Sequence, residues 1–284
     1  MLIKFNVIGA GRLGTALALS LIKSGQGQLM AVCNANFNKA KLAVEKIGSG
    51  IAVSRISELP AADLTFITTP DDLITQVAKQ LASEKILPPH SLVAHCSGVL
   101  STNALSSLKK ISCHLASIHP LKAFKSNNDD SFIFNQCDCV IEGDSEAVNI
   151  ITVLFSDMGA RVIPIKPEDK MIYHAAAVMS SNYLVTLAAT AIQLFNQAGI
   201  SKSLAKEITQ NLMTSSLNNI KQSEIAADAL TGPLQRGDLN TIKKHLAILP
   251  ASFRDLYSSA ALATLPLTTL SDELKEEIKA LMSS

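Results

Sequence analysis

The segment Val7-Ile8-Gly9-Ala10-Gly11-Arg12-Leu13-Gly14 sets three glycines at the spacing G-x-G-x-x-G, after a buried-strand pattern and at the opening of a helix. Each glycine has a physical task in that setting. Gly9 permits a tight turn, Gly11 has no Cβ to block a pyrophosphate, and Gly14 lets helix and strand pack closely. The free N–H groups at the helix start face the phosphates, so Arg12 and Leu13 join the glycines as a dinucleotide cradle. A turn kept only for sheet packing is the bland alternative, and a deazaflavin nucleotide is compatible with the turn taken alone.

Further residues fall where such a ligand would run. After the second strand the chain reads Cys33-Asn34-Ala35-Asn36, with no carboxylate to accept from an adenosine ribose 2′-OH. Asn34 does not repel a 2′-phosphate, and Arg12 or Lys39 can reach one. NADP is therefore expected, with NAD possible. A later apolar run ends in Thr68-Thr69-Pro70 before Asp71 and Asp72, which places Thr69 and Pro70 beside the cofactor or in an ordinary strand-to-helix turn with acidic caps. Another run ends in His95-Cys96-Ser97-Gly98, with Ser97 and Gly98 expected near the nicotinamide ribose and Cys96 in the packing. His119 precedes Pro120 at a strand end, where it orients substrate or serves the structure. In Arg236-Gly237-Asp238, Asp238 suits a helix N-cap, while Arg236 either clasps a substrate carboxylate across a dimer interface or forms a surface ion pair. No H-E-x-x-H or paired C-x-x-C motif marks a metal site, and no Tyr-x-x-x-Lys pair is present.

These residues need a frame to hold them. Apolar runs at 3–8, 28–33, 51–53, 64–68, 92–95, 112–118, 139–142 and 161–165 alternate with helical stretches at 13–23, 38–47, 73–81 and 145–158. That alternation predicts an α/β domain, a doubly wound and mainly parallel sheet covered on both faces. After Pro164-Ile165-Lys166-Pro167 only helix-length segments remain, which predicts a dinucleotide-binding Rossmann domain at 1–165 and an all-α substrate and dimerisation domain at 166–284.

Composition narrows the partners. The 284 residues carry 25 Lys+Arg against 24 Asp+Glu, and a net charge of +1 argues against nucleic acid and for a small-molecule substrate. With 48% apolar and 17% charged residues the chain is oily, and disorder is excluded. Five cysteines without framework spacing are read as reduced thiols of a cytoplasmic protein. From Met171 to Ile200 there is no Asp, Glu, Lys or Arg, yet polar groups interrupt the stretch at nearly every turn. A helix buried in a dimeric helical domain is expected there, rather than a membrane span.

The combined signatures carry a resemblance over nearly the whole chain. The glycine turn, the ADLTFITTPDD strand-turn and His95–Gly98 resemble the 6-phosphogluconate dehydrogenase-like superfamily, which includes hydroxyisobutyrate dehydrogenase, ketopantoate reductase and pyrroline-5-carboxylate reductase. The runs Ile118–Phe124, Tyr173–Ala177 with Ser181-Asn182-Tyr183, Leu230–Pro233 and Arg236–Asp238 are similar to an uncharacterised family that pairs a Rossmann-like domain with a helical C-terminal domain of unknown function. The resemblance implies an NAD(P)-dependent oxidoreductase, homodimeric through its C-terminal helices, acting on a small carbonyl, hydroxyacid or imine. A non-catalytic dinucleotide sensor or scaffold is the alternative. In the hydroxyacid branch, a Lys and an Asn one turn later perform the proton transfer; here they match Lys170 and His174. Positions 170, 174, 177 and 181 lie within about 40° on an ideal helix, so Ser181 shares the stripe as a substrate candidate. A Lys–His pair would depress both pKa values and favour a neutral imidazole.

Overall fold

The computed structural model describes residues 2–122, 124 and 133–283; Ala123, within the 118–124 signature, lies outside them. The chain forms two compact units, residues 1–179 and 180–284, which divide inside one long helix.

In the first unit, β1 (Ile3–Ile8), α1 (Arg12–Lys23), β2 (Gly27–Cys33), α2 (Phe37–Ile47), β3 (Ile51–Val53), β4 (Leu64–Ile67), α3 (Asp71–Glu84) and β5 (Leu92–His95) follow the anticipated alternation. They continue into β6 (His114–Pro120), β7 (Asp138–Gly143), α4 (Ser145–Asp157), β8 (Arg161–Pro164) and the start of α5 (Lys170–Gln197). The eight strands lie in the order β3-β2-β1-β4-β5-β6-β7-β8, parallel except for the antiparallel β6–β7 pair. The reversal of strand order beside β1 is the switch point at which open α/β sheets bind ligands.

Alternation along each strand sorts side chains onto two cores. Leu64 and Phe66 of β4, Leu92 and Ala94 of β5 and Ile118 of β6 pack on one face with Phe5, Leu17 and Phe155. Ile67, Val93 and Leu115 face the other, against Ile74, Leu81 and Leu105. Burial on both faces is why these strands read as unbroken apolar runs. Leu105 belongs to a 3₁₀ segment, Thr102–Ile111, that sequence periodicity did not reveal.

The second unit contains the rest of α5, then α6 (Lys202–Gln222), α7 (Pro233–Arg236), α8 (Leu239–Ile248), α9 (Ala251–Thr264) and α10 (Asp272–Met282). Its core is small and gathers Ile242, Ala261, Leu265, Ile278 and Met282. Asp238 caps α8 by accepting from Thr241 N at 3.0 Å and Thr241 Oγ1 at 2.7 Å.

α5 is long and apolar enough by composition to cross a membrane; burial in a dimeric helical domain was anticipated for it, and in the single chain only Lys170 of its 28 residues is buried. An uncharged sequence makes a helix apolar, but other elements must cover it, and within this single chain they do not.

Candidate functional site

The glycine turn needs its glycines for different reasons. Gly9 has φ +113°, and a Cβ there would lie 2.7–2.8 Å from the Thr68 and Thr69 backbone. A Cβ on Gly14 would strike the Gly9 carbonyl and the Thr68 hydroxyl. Thr68 Oγ1 donates to Gly9 O at 2.9 Å and ties the turn to the end of β4. Gly11 is different: among the described residues other than its chain neighbours, a Cβ there would meet no atom within 4 Å. It sits at the N-cap of α1 without a side-chain cap, so the helix N–H groups remain open towards that space.

A cavity of about 540 Å³ adjoins this turn at the carboxyl ends of β1 to β4, lined among others by Gly9, Gly11, Asn34, Lys39, Arg55, Thr69 and Pro70. Thr69 Oγ1 is buried there without a hydrogen-bond partner among the described residues. Asn34 Oδ1 accepts from Asn36 N at 2.9 Å, which turns its amide NH₂ away from that contact as a donor. A Cβ-free opening, uncapped helix N–H groups and an unpaired hydroxyl fit a dinucleotide. Of the two cations expected near Asn34, Lys39 lines the cavity, whereas Arg12 Nη1 donates to Phe124 O at 3.0 Å. Arg55, which sequence reasoning passed over, lines the cavity with Lys39.

A second assembly lies where β5, β6 and the start of α5 meet. Lys170 was expected to be either catalytic or solvated; its side chain is 1% exposed. Its Nζ donates to Ser97 O at 3.0 Å and to Ser117 Oγ at 2.5 Å. Burial holds the amine below the usual lysine range, with Glu142 opposing. Ser97 Oγ accepts from Val99 N and Leu100 N at 3.1 and 2.9 Å, fixing the turn through Gly98. His95 Nδ1 accepts from Ser97 N at 3.2 Å, so Nε2 carries the proton towards Ser101 O at 3.1 Å. Burial, helped by the Lys170 charge, pushes His95 down to about 4. Cys96 packs as expected, its thiol pushed up to about 12 by burial.

Above this buried layer, His119 and His174 close over Gly98. A Cβ on Gly98 would fall 2.6 Å from His174 Cδ2 and 2.9 Å from His119 Nε2, so only glycine allows both rings to approach. The two imidazole centroids are 5.9 Å apart. His119 Nδ1 and the Tyr173 hydroxyl are 2.8 Å apart, with the rings edge-to-face. Burial, then the Lys170 and His174 charges, pushes His119 down to about 4, and burial also raises the Tyr173 hydroxyl. The Lys170 charge also acts on His95 and His119, and its amine is engaged by Ser97 and Ser117.

Sequence reasoning therefore brought Lys170, His174, His119, Ser97 and Gly98 to one place but missed Ser117 and Tyr173. A signal existed for Ser117, because residues 117 and 119 share one face of β6. Ser181 and Arg236 belong to the second unit, and both are exposed.

Residues 2–120 match the model of a Rossmann-like domain, and residues 137–264 match a domain of unknown function, DUF2520. No curated protein matches the chain. Among solved structures, a candidate NADP oxidoreductase from Bacteroides fragilis is similar at 21% identity and TM-score 0.78, over 93% of this chain and 98% of that one. A protein from Thermotoga maritima aligns at 24% identity and TM-score 0.67, over 99% and 100%. An NADP-bound pyrroline carboxylate reductase from Plasmodium falciparum aligns at 16% identity and TM-score 0.60, over 99% and 98%. At these identities the likeness establishes a shared fold.

Proposed function

We propose that the chain, whose residues 2–120 and 137–264 match a Rossmann-like domain and DUF2520, is an NADP-dependent oxidoreductase acting on a small carbonyl, hydroxyacid or imine. The observation that carries this reading is the cavity at Gly11. An otherwise unexplained opening lies beside uncapped helix N–H groups and the unpaired Thr69 hydroxyl. The solved oxidoreductases of the same fold support the reaction class.

The nicotinamide of such a cofactor supplies or accepts a hydride when bound. The remaining roles fall to the chain. The backbone from Gly9 to Leu13 binds the pyrophosphate, Asn34 and Lys39 take the adenosine end, and Thr69 and Pro70 line the path between. Ser97 and Gly98 form the floor of the reacting end. The Tyr173 hydroxyl, kept protonated, and the His119 imidazole, kept neutral, hold one proton at a 2.8 Å contact and are suited to pass it to a substrate oxygen or nitrogen. His174 presents its ring beside them. Lys170 positions the Ser97–Gly98 turn through the Ser97 carbonyl and does not itself meet substrate. A second copy of the chain covering the exposed apolar helices completes the proposal.

The test is a thermal-shift panel with NADP, NADPH, NAD, NADH and a deazaflavin nucleotide. A ligand at about 100 Kd stabilises by about 2.7 kcal/mol. NADPH and NADP are expected to give the largest shifts, and an absence of any shift across the panel sinks the reading.

A further inference from the structure

The adenosine end of the cavity is built from three separate turns. Asn34 follows β2, Lys39 stands in the first turn of α2, and Arg55 follows β3. What these side chains offer is one-sided. Asn34 spends its carbonyl oxygen on Asn36 N and keeps its NH₂ group, and Lys39 and Arg55 are donors only. The described lining of the cavity contains no Asp or Glu.

The neighbouring carboxylate, Glu58, is fully committed. Its Oε2 accepts from Ser54 N and Arg55 N, each at 3.1 Å, and its Oε1 accepts from Arg55 Nε at 2.8 Å and Nη2 at 2.6 Å. With both oxygens engaged, Glu58 is not available to accept from a ribose hydroxyl. The same bonds fix the guanidinium by its Nε/Nη2 edge and leave Nη1 for a ligand. A planar guanidinium held in this way is organised to meet a phosphate.

We propose that Arg55, braced by Glu58 and assisted by Lys39 and Asn34, reads the 2′-phosphate of NADP and so sets the preference over NAD. This rests on the dinucleotide reading above and adds the residues that decide between the two nucleotides. A basic side chain directly beside Asn34 is absent from the sequence; the turn after β3 provides one from across the cavity.

The experiment is a fluorescence titration of the full chain with NADPH and NADH, repeated with Arg55→Ala, Arg55→Lys and Lys39→Ala, and accompanied by competition with adenosine 2′,5′-bisphosphate. The wild type is expected to bind NADPH more tightly than NADH. Arg55→Ala should weaken NADPH by about tenfold or more. NADH should stay within about twofold, or tighten as Glu58 is released to accept from the ribose. Lys39→Ala should move NADPH in the same direction by less, and Arg55→Lys should recover part of the loss. Raised salt should weaken wild-type NADPH more steeply than NADH, with Arg55→Ala flattening that difference. Arg55 and Lys39 are exposed, so both variants should melt with the wild type. A wild type that binds both nucleotides equally, or a variant that weakens both in parallel, overturns the assignment while leaving dinucleotide binding intact. Failure of both nucleotides to bind the wild type removes the dinucleotide reading and this inference together.

Discussion

The two compact units treat polarity in opposite ways. Residues 1–179 bury an ammonium group, with Lys170 1% exposed, together with His95 and Ser117 at 0%. Residues 180–284 leave apolar side chains open, with Val185 68%, Leu212 58% and Ile248 80% exposed. A buried charge is tolerated only where the chain itself supplies the partners, and Ser97 O and Ser117 Oγ do so. An exposed apolar surface of that extent asks for a partner the chain does not contain. The first unit thus supplies its buried ammonium with partners from within itself, and the second leaves apolar side chains uncovered in the single chain.

Acidification should break the first half of this contrast most strongly. His95 and His119 titrate at about 4 when folded, against 6.5 as the ordinary value. Between those values the unfolded chain binds more protons, so their contribution is present above pH 6.5 and is lost as pH falls towards 4. At about 1.4 kcal/mol for each tenfold difference, either histidine accounts for roughly 3 kcal/mol over that window. Urea unfolding at pH 7, 5.5 and 4 should show a steep decline, and His119→Asn should flatten it. A level profile would mean that the imidazoles are hydrated. Lys170 has the same sign at alkaline pH: its folded pKa lies below 10.5, so stability rises as pH approaches that value.

The next effect in size is that of Lys170→Ala. It opens a void and strands the Ser97 carbonyl, at a cost of about 3 kcal/mol by denaturant unfolding at pH 7. Lys170→Met refills the volume and removes the cost of burying charge, so its loss should be about 1 kcal/mol. Both variants should lower turnover, because the Gly98 turn loses its anchor. His174→Ala should lower turnover with little change in stability. A Lys170→Ala variant as stable as the wild type would return Lys170 to the role of a reacting group.

The difference between the units also explains what could be read in advance. Gly9, Gly11 and Gly14 were legible because a tight turn, an open phosphate path and a close helix contact each demand glycine at a fixed spacing. The strands were legible because two-sided burial leaves an apolar run, and the boundary errors are small. Lys170 read as either surface or catalytic because Glu168 and Asp169 precede it. Its burial depends on Ser97 and Ser117, more than fifty residues away in sequence. Tyr173 and His119 meet across a similar separation, and Arg55 gains meaning only when a three-residue strand brings it beside Asn34. The uncharged stretch from Met171 to Ile200 told correctly that a long apolar helix would form. It could not tell which surface covers that helix, since composition records transfer preference and not the partner.

The smallest of the expected effects tests that missing partner. If a second copy covers α5 and α6, the wild type should sediment as a dimer, and a carboxylate placed on the covered face must be desolvated on association. Val185→Glu and Leu212→Glu each substitute a side chain already open in the single chain, so neither should disturb the helices. Each should weaken the dimer by about ten- to a hundredfold, equivalent to roughly 1.4–2.8 kcal/mol. Sedimentation velocity across a dilution series reads that change, and circular dichroism checks that helix content is retained. A wild type that stays monomeric at the highest concentration rejects a second copy as the cover. A dimer indifferent to both substitutions would move the interface away from α5 and α6, and the contrast between the two units would then need another explanation.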